Sequence, residues 1–177
     1  MANREALREL QGRLATRMQA ARTEAPVRSW LAVECAGHGL LFPLHEAGEI
    51  FSVGSVLPVP HTQPWFAGVA NLRGGLHAVV DLAVFLGLKR EPGDGGRDAA
   101  RLLALNPSLG VNCALLVDRL AGLRNADQLS PEPKDAPTAQ THPAFAGARW
   151  RDADGRVWQE IELAALAGHE QFLGVAG

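Results

Sequence analysis

The chain is poor in the residues from which metal centres and nucleophilic active sites are built. Its two cysteines, Cys35 and Cys113, stand far apart with no Cys-x-x-Cys spacing, so neither a zinc ribbon nor a redox pair can be drawn from them. Both fall in strand-like runs and are expected to be buried, reduced thiols. None of the six histidines has HxxH or HExxH spacing or a carboxylate companion at metal-ligand spacing, which leaves no metal site. Seventeen basic against nineteen acidic residues give a net charge of −2, without the basic excess that nucleic-acid binders use to neutralise phosphates. No run approaches the roughly 18 apolar residues of a membrane span. The opening MANREALREL is charged throughout and has no apolar signal core, so a cytoplasmic protein is expected. There is no GxSxG elbow, and Gly93-Asp-Gly-Gly96 lacks the Lys-Ser/Thr of a phosphate loop. Kinase signatures and a receiver-like parallel α/β half are also missing.

What is present is apolar and turn-rich. At 177 residues and 47% hydrophobic, the chain can bury one substantial core, or two small β subdomains that share one. Leu7, Leu10, Leu14, Met18 and Ala21 line one stripe of an amphipathic helix over residues 4–22, supported by Glu9 and Arg13 at i,i+4. A free helix of that length is marginal in water, so it needs a surface, either its own domain or a partner. Residues 1–28 carry +3 and the remainder −5, which suits docking on the chain itself. Residues 1–25 thus read as a helical extension and 26–177 as the main domain. Within that domain, a hairpin is expected from strands 29–36 and 40–45 joined across Gly37-His38-Gly39, followed by a short apolar run near Ile50. Runs 101–105 and 114–117 form a further antiparallel pair. Two Trp-bearing strands turn at Asp152-Ala-Asp-Gly155, and a helix is expected over 163–172. That turn lacks the third acid of a calcium loop and reads as a β-turn. Mobile loops are expected near 89–99 and 130–143, the second carrying four prolines.

The densest information lies in residues 58–88. Pro58, Pro60 and Pro64 fix φ and withhold amide donors, which makes a rigid approach to the strand 66–72. Gly74-Gly75 separates that strand from 76–80 and permits a tight hairpin with Arg73 at its tip. Asp81 is placed to cap, and Gly87 to stop, a two-turn helix. Many short strands with helices only at the ends and mid-chain argue an all-β barrel architecture.

Gly68, Val69, Asn71, Leu72, Arg73, Gly74, Val79, Asp81, Leu82, Gly87 and Leu88 together closely resemble the central signature of the CheW family of chemotaxis adaptors. Ala78 departs from it, standing where the family has proline, and Gly75 and His77 occupy positions that are usually bulky and apolar. Weaker matches at 30–33, 40–44, 114–120, 145–150 and 157–163 extend the resemblance over roughly residues 29–173. Trp30, Ala70 and the N-terminal extension look most like the adaptors of type IV pilus (twitching) chemosensory systems. The resemblance implies a mainly β fold of two small SH3-like five-stranded barrels with short helices. It implies a non-enzymatic scaffold, monomeric in isolation, that couples the cytoplasmic tip of a methyl-accepting chemoreceptor to a CheA-type histidine kinase. Asn71, Leu72, Arg73 and Gly74 form the expected partner-binding turn, with Arg73 as anchor because a rigidly mounted guanidinium offers five donors.

Other readings compete with this one. A stand-alone β-barrel that binds a peptide or small molecule fits the same composition. So does a divergent adaptor that occupies receptor sites without coupling a kinase. An enzyme would have to use Asp81 and Asp118 as an acid/base pair, although each more simply satisfies backbone donors at a strand end or cap.

Overall fold

The structure is a computed structural model that describes residue 13 and residues 27–91, 97–133 and 143–177. The expected N-terminal helix lies outside these, apart from Arg13, which is helical. The hearts of the two expected loops, 92–96 and 134–142, lie outside them as well.

Two sheets carry the fold. One is built from β1 (Ser29–Cys35), β2 (His38–Pro43) and four later strands, β8 (Arg119–Asn125), β9 (Leu129–Pro131), β10 (Ala146–Asp152) and β11 (Val157–Ile161). Their order is β8-β1-β2-β11-β10-β9. The intervening chain supplies the other sheet: β3 (Ala47–Ser52), β4 (Phe66–Leu72), β5 (Gly75–Asp81), β6 (Arg101–Leu105) and β7 (Cys113–Val117), in the order β3-β6-β7-β5-β4. Pairing is antiparallel except for β2 with β11 and β5 with β7, which run parallel. The first sheet has one strand more than expected, because β9 forms at the start of the expected proline-rich loop. Its Pro131 is tolerated there because β9 is an outer strand, where a missing donor breaks no ladder.

The continuous apolar runs of β1, β2, β6 and β7 follow from burial on both faces. In β1, Leu31, Val33 and Cys35 point into a central core, while Trp30 and Ala32 point into the interior of the six-stranded sheet. In β7, Cys113, Leu115 and Val117 enter the same central core, and Ala114 faces the interior of the five-stranded sheet. Three apolar layers result, and the middle one fastens the sheets together. Each large side chain so buried contributes roughly 1.5–3 kcal/mol.

From residue 27 onward, the described residues form three short α-helices. In α1 (Leu82–Phe85), Asp81 caps as expected, accepting from the Val84 N–H, and Gly87 leaves the helix at φ 67°. The single helix expected over 163–172 is instead two, α2 (Leu163–Ala167) and α3 (Glu170–Leu173), broken where Gly168 ends the first and His169 is extended. The break lets Phe172 turn inward and stack on Trp65, with centroids 6.2 Å apart and planes 5° from parallel. The expected tip across Gly37-His38-Gly39 is tighter than the sequence suggested. Ala36 and Gly37 alone make the turn, with φ 47° and 76°, and His38 already belongs to β2.

Candidate functional site

The expected partner-binding turn is a two-residue hairpin between β4 and β5. Arg73 and Gly74 are its central residues, with φ 50° and 79°, the paired positive values of a type I′ turn. The double glycine is therefore not the turn itself, because Gly75 is the first residue of β5. Asn71 secures the loop by accepting the Gly74 N–H on Oδ1 at 2.8 Å. Arg73 thus occupies a left-handed conformation that a non-glycine residue adopts only when its surroundings impose it.

The four residues divide by direction. Leu72 is buried with Ala70, Val79 and Leu102 in the interior of the five-stranded sheet, so its side chain packs inward beneath the turn. Asn71, Arg73 and Gly74 face solvent, Arg73 with 75% of its side chain exposed. The guanidinium of Arg73 reaches Glu49 of β3, Nη2 to Oε1 at 2.6 Å. Leu76, opposite Asn71 in register, is 65% exposed and presents an apolar side chain to solvent on the same hairpin. Sequence reasoning missed both neighbours. Glu49 is remote in sequence, whereas Leu76 could have been found by carrying the strand alternation across the turn.

The departure at Ala78 has a structural counterpart. Its N–H donates to the Asn112 carbonyl at 3.0 Å at the start of the parallel β5–β7 ladder, a bond that proline could not make.

Asp81 and Asp118 do come together, but around a guanidinium. Arg90 Nη2 donates to Asp118 Oδ1 at 2.9 Å and to Asp81 Oδ1 at 3.3 Å. The bond to Asp118 is the main reason that Arg90 is held even more firmly protonated than usual. Asp118 also accepts the Ala36 N–H at 2.7 Å, and Asp81 caps α1. Both carboxylates are thus engaged in holding the chain together. Burial pushes the thiols of Cys35 and Cys113 up to about 12, so neither is a nucleophile at neutral pH. Asp152 accepts from the Asp154 and Arg156 N–H groups and from the Trp158 indole, which makes its segment a side-chain-tied turn. No cluster of three or more potential metal ligands occurs among the described residues. None of their helices is long and apolar enough to cross a membrane.

Comparison with known proteins matches residues 29–171 to the CheW-like domain family. Protein PilI of Pseudomonas aeruginosa is 30% identical over 158 residues, covering 85% of this chain and 82% of its own. The crystal structure of the scaffolding protein TtCheW from Thermoanaerobacter tengcongensis superposes with a TM-score of 0.61 at 20% identity, over 76% of this chain and 88% of that one, a likeness of fold.

Proposed function

The chain belongs to the CheW-like family, and on that premise we propose that it is a non-enzymatic adaptor coupling chemoreceptors to a CheA-type histidine kinase. The observation that carries this reading is the presentation of Arg73. Asn71 and the positive-φ backbone fix the turn, and the charged group stands in solvent, where a partner's carboxylates and carbonyls can reach it. The identity to PilI supports a place in a type IV pilus system, as Trp30 and Ala70 suggested. On this reading the protein works on the cytoplasmic side, beside the receptor tips. The adaptor acts by geometry alone: two partners held on one rigid pair of sheets constrain each other.

The test is capture from bacterial lysate on immobilised protein, with mass spectrometry of what is retained. Arg73→Glu tests the anchor, and the exchanged pair Glu49→Arg/Arg73→Glu restores the ion pair with its poles reversed. We expect wild type to retain a CheA-type kinase or a chemoreceptor and both variants to lose it. Retention by the exchanged pair would mean that the turn serves stability and not recognition. Retention of neither protein by wild type, from a lysate shown to contain both, would overturn the adaptor reading.

A further inference from the structure

Glu160 lies in β11 with its side chain inside the six-stranded sheet and 2% exposed, in the same strand phase as the buried Trp158. A carboxylate there costs several kcal/mol in lost hydration unless it is matched. Three donors match it. Trp30 Nε1 and Arg28 Nη2 both donate to Oε1, at 2.9 and 3.0 Å, and Trp150 Nε1 donates to Oε2 at 3.2 Å. Arg28 also lies against both indoles, 5.3 Å from the Trp30 centroid and 5.9 Å from that of Trp150. A carboxylate at the end of two aromatic faces is the chemistry that selects a flat, weakly hydrated guanidinium.

Arg28 fills this site loosely. Its side chain is 61% exposed, it donates one bond rather than a two-pronged fork, and it sits just before β1. The surrounding cavity, about 300 Å³, is also lined by Glu46, whose Oε2 accepts the Ala164 N–H, and by Glu162, so two acidic residues border it besides Glu160. That volume is at the lower end of ligand sites and exceeds what one guanidinium needs. We propose that the mouth of the six-stranded sheet is an arginine-binding site, occupied in the free chain by its own Arg28 and open to exchange with an arginine from a partner polypeptide. Because a buried carboxylate stripped of its cation is unfavourable, the site favours exchange of one guanidinium for another over standing empty. The site lies in the other sheet from Arg73 and needs neither kinase nor receptor, so this inference and the adaptor reading can fail separately.

The test follows the indole N–H resonances of the four tryptophans in the full-length ¹⁵N-labelled chain. N-acetyl-argininamide is titrated into wild type and Arg28→Ala, with the uncharged N-acetyl-citrullinamide as control. In Arg28→Ala the Trp30 and Trp150 signals should move saturably while Trp65 stays in place. An Arg28 that fills the site nine-tenths of the time would make wild type respond about tenfold more weakly. Citrullinamide should leave all four signals unmoved. No saturable movement in Arg28→Ala, equal half-saturation in both proteins, or an equal response to citrullinamide would each overturn the proposal. Should Arg28→Ala unfold the chain, Arg28→Lys makes the same comparison, since a compact ammonium competes less well for the indole faces.

Discussion

Arg73 and Glu49 form a 2.6 Å ion pair between the two outermost strands of the five-stranded sheet, since Glu49 lies in β3 and Arg73 directly follows β4. The pair bridges edges that no ladder of backbone bonds connects. Both partners are exposed, so the pair contributes about 0.2–1 kcal/mol. Glu49→Ala should therefore lower the melting temperature by no more than about 4 °C. The two single charge reversals should each cost more than that truncation, and the exchanged pair should recover most of the loss. A thermal double-mutant cycle checks this, and strict additivity of the two reversals would show that the pair contributes nothing.

Gly68 is required by a close approach. It has φ 138°, and a Cβ placed on it would lie 2.1 Å from the Leu57 carbonyl oxygen, which accepts the Val69 N–H and so holds the proline-rich segment to β4. Gly68→Ala should cost about 2 kcal/mol or more, read from urea unfolding. Gly74→Ala meets open space and only an unfavourable φ, so about 1 kcal/mol is expected.

The thiols of Cys35 and Cys113 should resist an aromatic disulfide reagent in the native protein at mildly alkaline pH and react in denaturant. Burial raises both from an ordinary 9.0 to about 12. The unfolded chain therefore loses these protons first. Stability from the buried neutral thiols is complete below about pH 9 and is lost as pH climbs from there toward 12. Cys35→Ala/Cys113→Ala should lose less stability over that interval than wild type does, which unfolding curves at successive pH values would reveal.

Glu34 titrates in the opposite sense. Burial pushes its carboxyl up, but hydrogen bonds from Arg156 and Arg119 outweigh burial and hold it below 4.5. Its contribution is present above the unfolded value and disappears as pH falls through the lowered one. Glu34→Gln should thus destabilise the protein clearly at neutral pH and much less at about pH 3. An equal difference at both pH values would mean that the ion pairs contribute nothing.

The sequence disclosed most strands because their pattern is local. Leu31 to Cys35 and Cys113 to Val117 could scarcely be anything else between their turns, although nothing local says that both faces are covered. β9 stayed hidden because three residues ending in Pro131 carry too little pattern, and only β10 beside them makes a strand. The helix over 163–172 looked continuous because its break serves a distant contact, Phe172 on Trp65. At the candidate turn, Asn-Leu-Arg-Gly marked the place and strand alternation from Ala70 accounts for the burial of Leu72. The positive φ of Arg73 was obscured by the adjacent glycines, which offered an easier solution. Glu49 and the donors around Glu160 arrive from remote strands, and no spacing rule announces them.

The five-stranded sheet is drawn from one unbroken stretch of chain, residues 47–117, whereas the six-stranded sheet takes strands from both sides of it. A ribosome therefore delivers every part of the inner sheet while the outer one is still unfinished. β2 emerges early and can pair with β1 at once, but its other flank waits for β11, which meets it from Trp158 against Gly39 to Glu160 against Leu41. Until then a strand carrying Leu40, Leu41 and Phe42 has unpaired backbone on one side, the condition in which nascent chains pair wrongly. The hazard ends only when β11, more than a hundred residues after β2, has been made, and a message stalled or truncated before it would leave it open.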